Sequence, residues 1–263
     1  MSRALLFPAL ALALLATLSC GGGSEPTASL TLAVDLSQLP SGADPDEALG
    51  DAADVLRRRA ELYGIQEPQI TLGGDTISLT LKGIDEADAL DLVTSRGVLE
   101  FKREQVSADG LVVCKTLQGE EFGVPPNNVN PDDASGSLAR CFSIDKLGEP
   151  VWIDAGVQDE ATGDAIRLTQ DHVEAGGWMT RNDAALEMRF TPDGSALIES
   201  VTRILTGYHL GLFIDGKLVG APRIQRAITD GTAVISGFPS GQARILAAVL
   251  NAPPLEVPLT QSP

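Results

Sequence analysis

The sharpest chemistry in this 263-residue chain belongs to three cysteines, Cys20, Cys114 and Cys141, and two histidines, His172 and His209. Cys20 follows Ser19 at the end of an uncharged apolar run, Ala4 to Leu18, that is itself preceded by Arg3. A basic start, a short apolar stretch and a small residue before cysteine suit a secretory signal whose cleavage leaves Cys20 as a lipid acceptor. The run of about 15 residues is too short for a membrane-spanning helix, which needs roughly 20. Lipoprotein cleavage sites usually carry leucine three positions before the cysteine, and Thr17 stands there. A plain secretory signal with a free Cys20 is therefore the other reading. An exported chain with three cysteines has an odd thiol unless one has another task. Lipid on Cys20 leaves Cys114 and Cys141 to pair, closing a loop of about 28 residues that chain entropy values at about 3.5 kcal/mol. Their spacing fits neither zinc nor thioredoxin patterns, which use close pairs.

Other reactive constellations are missing from the sequence. Nucleophilic hydrolysis needs Ser or Cys held against a base, and His172 and His209 are the two imidazoles present. Gly237-Phe238-Pro239-Ser240-Gly241 lacks the G-x-S-x-G spacing of a nucleophile elbow. Asn130-Pro131-Asp132-Asp133 offers oxygens to calcium without the twelve-residue loop pattern. Gly73-Gly74, Gly110 and Gly176-Gly177 form no phosphate-cradling motif and read as turns. Trp152 and Trp178 read as core residues, with a peptide-contact surface as their alternative use. The expectation is a non-enzyme with no catalytic residues, no bound metal and no cofactor.

These residues are positioned by a regular pattern that starts at Ser29. Leu30, Leu32 and Val34 alternate with Thr31, Ala33 and Asp35, as in a half-buried strand. Asp44-Pro45-Asp46-Glu47 opens a helix: Asp44 caps, Pro45 takes the first helical position, and Glu47 can complete a capping box. Its apolar stripe is Leu49, Ala52, Leu56, Ala60 and Tyr63, and Gly64 ends it. Arg57, Arg58 and Arg59 read as a solvated face. A hairpin follows, Gln69 to Leu72 and Thr76 to Leu81, then a helix from Asp85 to Thr94 and a strand from Val98 to Lys102. The order β-α-β-β-α-β predicts a ferredoxin-like split arrangement.

Residues 105–150 are rich in Pro, Asn, Asp and Gly and read as irregular, with order returning at Val151-Trp152-Ile153 inside an insertion taken as 105–164. The pattern then predicts a short helix near Thr169, a strand Leu186–Phe190 and a helix Ser195–Leu205. Strands Tyr208–Ile214 and Lys217–Ile224 flank a type I′-like Asp215-Gly216 turn, followed by a strand Thr232–Ile235 and a helix Ser240–Leu250. The fold class is thus α+β, a ferredoxin-like subdomain followed by a second α+β subdomain. With 36 acidic against 19 basic residues, net charge −17, nucleic acid and anionic lipid are disfavoured partners. Aromatic residues make up 4% of the chain, so Leu, Val, Ile and Ala must build the core.

Two passages are recognisable as words. Leu212-Phe213-Ile214-Asp215-Gly216-Lys217-Leu218-Val219-Gly220-Ala221-Pro222-Arg223-Ile224, with Ile228-Thr229-Asp230-Gly231-Thr232-Ala233-Val234-Ile235-Ser236-Gly237, resembles the head subdomain of the first periplasmic domain of SecD. The helix Gln242 to Leu250 before Pro253-Pro254-Leu255 is similar to that family's exit from the domain. Upstream, Val55-Leu56-Arg57-Arg58-Arg59-Ala60-Glu61-Leu62-Tyr63-Gly64-Ile65-Gln66-Glu67-Pro68 and Gly97-Val98-Leu99-Glu100-Phe101 are similar to the base subdomain. To the signal at 1–19 and tether at 20–28 read from the residues, the resemblance adds a base at 29–104 and a head at 165–257, with the insertion at 105–164 between them and a tail at 258–263.

What the resemblance implies is protein export. SecD and its partner SecF use the proton gradient to help secreted chains leave the Sec channel, and the first periplasmic domain handles the emerging chain. Five residues follow Pro258, so the expectation is a chain-handling module without the membrane-spanning motor. A lipid anchor would hold it on the extracytoplasmic side, where it binds exported polypeptide or Sec translocon components. The competing reading is a structural lipoprotein that docks onto another envelope complex.

Overall fold

The computed structural model describes residues 25–39, 41–127, 141, 143, 146–182, 185–239 and 241–262. The signal, Cys20, Asn130-Pro131-Asp132-Asp133 and Ser240 lie outside the described residues. In chain order the first elements are β1 (Thr27–Val34), α1 (Pro45–Tyr63), β2 (Gln69–Gly73), β3 (Thr76–Lys82) and α2 (Glu86–Thr94). Six strands follow: β4 (Leu99–Glu104), β5 (Val112–Thr116), β6 (Glu121–Val124), β7 (Gly148–Pro150), β8 (Trp152–Asp154) and β9 (Gly156–Gln158). Then come β10 (Ala165–Arg167), β11 (Val173–Asn182), β12 (Ala185–Phe190), α3 (Pro192–Ile204), β13 (Leu210–Ile214) and β14 (Lys217–Gly220). The last elements are β15 (Thr232–Ser236), α4 (Gln242–Asn251) and β16 (Leu259–Gln261).

Local chemistry accounts for the helix ends. Asp44 Oδ1 accepts from the Asp46 N–H at 2.9 Å and Pro45 holds the first helical position of α1. Gly64, at φ 105°, closes it by donating to the carbonyls of Ala60 and Glu61. Asp85 caps α2 through the Asp88 N–H at 2.9 Å, and Thr191 caps α3 through the Gly194 N–H at 3.1 Å. The expected stripe of α1 is buried, but Arg59 is buried with it, at 0% exposure. That corrects the reading of three solvated arginines. Arg59 lies three residues after Leu56 and four before Tyr63, on the apolar face of the helix.

The base sheet has the order β16-β1-β3-β2. Both β1 and β2 run antiparallel to β3, so β1-α1-β2 is a crossover with β3 between its parallel strands. This is the ferredoxin-like arrangement, with one correction. Its fourth strand is not the segment 98–102 but β16, pairing Val34 with Leu259 and Leu32 with Gln261. The expected tail is therefore the closing edge of the base. β4 instead joins β13 antiparallel, Phe101 opposite Leu212 and Leu99 opposite Ile214, in a sheet ordered β14-β13-β4-β8. Leu99 and Phe101 bury against head residues, where Phe101 and Phe190 stand 6.1 Å apart between ring centroids.

A three-stranded sheet, β11-β12-β15, and helix α3 complete the head core. Where a short helix is expected near Thr169 there is a single turn, Gln170–His172, and then the ten-residue strand β11. A register shift between Val173 and Trp178 breaks the alternation that would have identified this strand. The segment 105–164 is also more ordered than expected. It carries β5 to β9, with β6-β5-β7 forming a small sheet and β8 extending the head sheet. Strands of three to five residues are too short for periodicity to register. Cys114 and Cys141 are fully buried under this small sheet beside Val112 and Val124, with Cα atoms 5.6 Å apart and sulfurs at bonding distance.

Helix α4 joins the two cores. Ile245, Ala248 and Val249 face the base, whereas Ala243, Leu246, Ala247 and Leu250 face the head. A helix apolar on both sides fits a position between two cores. Among the described residues no helix is long and apolar enough to cross a membrane.

Candidate functional site

The chain passes from base to head along Ser95–Val98 and returns after α4 along Ala252–Pro258. Both crossings lie together: the Leu255 N–H donates to the Arg96 carbonyl at 2.8 Å, and Arg96 Nε donates to the Leu255 carbonyl at 3.4 Å. The outward crossing is gripped on two sides. On the base side Arg59 Nη1 donates to the carbonyls of Ser95 and of Leu92 (3.3 Å), and Nη2 to that of Arg96 (3.1 Å). These bonds offset part of the cost of burying a guanidinium. Burial lowers the Arg59 pKa to about 10, with the nearby Asp215 carboxylate acting in the opposite direction, so Arg59 remains a cation at neutral pH.

On the head side the crossing meets the tip of the β13–β14 hairpin. Asp215, at φ 53°, and Gly216, at φ 74°, form the type I′ turn expected between these strands. Asp215 Oδ2 accepts from Ser95 Oγ and the Arg96 N–H, both at 2.8 Å, and from the Gly97 N–H at 3.5 Å. Oδ1 accepts from the Val98 N–H at 3.0 Å, and the Asp215 N–H donates to the Val98 carbonyl at 2.9 Å. Gly97 is required here. At φ 81° an L side chain is strained, and a Cβ would stand 3.0 Å from Arg59 Nη2 and 3.3 Å from Val249 Cγ1.

Helix α4 ties the same junction to both cores. Arg244 Nη2 donates to the Tyr63 carbonyl at 2.6 Å, and its guanidinium lies 4.5 Å from the Tyr63 ring centre. At the other end Asn251 Nδ2 donates to the Trp178 carbonyl at 2.7 Å and Oδ1 accepts from its N–H at 3.1 Å. Between hairpin, α4 and β16 lies a cavity of about 390 Å³, lined by Ile214, Lys217 and Val219 on one side and Leu246, Val249 and Leu259 on the other.

The residues singled out in the sequence for hydrolytic or metal chemistry do not converge here. His172 sits in the turn before β11, where Nδ1 accepts from the Thr169 N–H at 3.1 Å. The His209 N–H donates to the buried Glu104 carboxylate at 3.0 Å. Trp178 is buried in the head core, while half-buried Trp152 packs edge-on against Phe213, 5.5 Å between ring centroids. Among the described residues no three His, Cys, Asp or Glu side chains group as metal ligands would. The residues that organise the junction, Arg59, Gly97, Asp215 and Asn251, were not singled out for it. The one available signal was the place of Arg59 on an apolar helix face.

Residues 145–257 match the family described as "SecDF, P1 head subdomain". The protein translocase subunit SecDF of Thermus thermophilus is 32% identical over 217 residues, 80% of this chain and 27% of its own length. The protein translocase subunit SecD of Endomicrobium trichonymphae is 29% identical over 252 residues, 92% of this chain and 52% of its own. A solved structure described as SecDF in super-membrane-facing form aligns with 91% of this chain and 30% of its own, at 27% identity and TM-score 0.48. The chain thus spans about half the length, or less, of these curated relatives.

Proposed function

We propose that this chain is an extracytoplasmic, lipid-tethered counterpart of the SecD periplasmic domain that binds exported polypeptide or components of the Sec translocon as an accessory to protein export. The observation that carries the reading is the match of residues 145–257 to the SecDF head subdomain, together with similarity to SecD that continues upstream over most of the chain. Cys20 is the proposed lipid acceptor. Cys114 and Cys141 form the proposed disulfide, a bond that persists in oxidising compartments and so agrees with a location outside the cytoplasm.

The proposed function is one of binding, for which the chain offers the apolar walls of the junction cavity, Ile214 and Val219 facing Leu246, Val249 and Leu259. A charge of −17 argues against nucleic acid and anionic lipid surfaces as partners. Two measurements test the proposal in the source organism. Metabolic labelling with a radioactive fatty acid should mark the wild-type protein and not Cys20→Ser, which should also leave the membrane fraction. In-cell crosslinking followed by capture of the full chain should enrich Sec channel components or nascent exported chains. Enrichment of an unrelated envelope complex alone would overturn the export reading and leave a docking lipoprotein in its place.

A further inference from the structure

We propose that the β13–β14 hairpin is a latched lid over the cavity at the base–head junction, with the Asp215 carboxylate as the latch. The crossing Ser95–Val98 presents three backbone N–H groups and one hydroxyl to a single carboxylate, at 2.8 to 3.5 Å. That carboxylate is at the hairpin tip, and the hairpin supplies Ile214, Lys217 and Val219 to one wall of the cavity. The opposite wall, Leu246, Val249 and Leu259, belongs to α4 and β16.

The two grips on the crossing differ in how readily they open. Arg59 is fully buried, and separating it from the carbonyls of Leu92, Ser95 and Arg96 would strand a charge away from water. Asp215, Gly216 and Lys217 are exposed, so water can replace the amide donors one at a time at small net cost. The crossing therefore stays with the base, and the hairpin tip is the part that lifts. Lifting it uncovers apolar side chains on both walls. The head sheet remains anchored by the pairing of β13 with β4 beyond Leu99 and by the head-facing residues of α4.

The test is hydrogen exchange of the full chain, comparing wild type with Asp215→Gly and Asp215→Asn. Glycine suits the positive φ at this position, and asparagine tolerates it, so both variants keep the turn while removing the charge. The expected result is exchange at least tenfold faster at Arg96, Gly97, Val98 and the hairpin tip, larger for glycine than for asparagine. Protection in β1, β3 and β12 should be unchanged. Wild-type exchange at 96–98 in both variants would overturn the latch. So would acceleration spread equally through both cores, which would make the hairpin part of one cooperative unit. Neither result depends on whether the chain takes part in export.

Discussion

Arg96 and Leu255, 159 residues apart in sequence, bind each other reciprocally: backbone N–H to carbonyl at 2.8 Å, and guanidinium Nε to carbonyl at 3.4 Å. The outgoing and returning crossings between base and head are therefore held side by side. The head is an insertion between α2 and the last strand of the base sheet, and the base closes only when the chain returns.

The returning segment should matter accordingly. Leu259→Ala removes a side chain 4% exposed from the base core, and a loss of about 2–3 kcal/mol is expected from the lost burial and the space left. Urea unfolding followed by far-UV circular dichroism measures it. A change below about 0.5 kcal/mol would mean that β16 adds little to the base.

Arg59→Met should cost about 3 kcal/mol, because three inward-facing carbonyls lose their donor. Arg59→Lys keeps the charge but cannot reach all three, so a loss of roughly half that size is expected. A lysine variant as stable as wild type would show that charge, not the fork of donors, is what the site requires. The same urea titration separates the outcomes.

Asp88 sits at the start of α2 with its pKa raised, first by burial and then by Asp85 and Asp91. A carboxyl with a raised pKa stabilises the fold below its unfolded value of 3.8 and loses that contribution as pH rises through the folded value. Asp88→Asn should thus be slightly more stable than wild type at pH 7, the effect kept small because the group is only partly buried and solvent screens it. The advantage should vanish below pH 3.8. Melting temperatures of the two proteins at pH 7 and pH 3 decide it, and an advantage that grows toward acid would contradict the assignment.

Asn251→Ala breaks both hydrogen bonds to the Trp178 backbone and should cost about 1–2 kcal/mol. Trp178 is 3% exposed. Loosening of β11 beside it should shift its fluorescence to longer wavelength, read in a Trp152→Phe background. An unchanged spectrum with unchanged stability would remove Asn251 from the junction.

Replacing Cys114 and Cys141 together by alanine should destabilise the small sheet β6-β5-β7 by up to about 3.5 kcal/mol while the base keeps its melting transition. Hydrogen exchange resolves the two regions. Equal loss in the base would mean that the staple supports the whole chain.

The sequence by itself determined what depends on residues a few positions apart. The cap at Asp44, the stripe from Leu49 to Tyr63, the hairpin of β2 and β3, and the Asp215-Gly216 turn were legible because capping, helical period and turn geometry are local. So was the α+β class. Only the tertiary structure decided which sheet each strand entered. Val98–Lys102 and Leu259–Gln261 both suit an edge position, and the choice between them rests on Leu99 and Phe101 burying against β13, a contact more than a hundred residues away in sequence. The same holds for Arg59 and Asp215. A cation on an apolar stripe and an aspartate in a turn reveal their roles only when the crossing Ser95–Val98 is placed between them, because hydrogen-bond partners are set by proximity in space and not by the residue's own type.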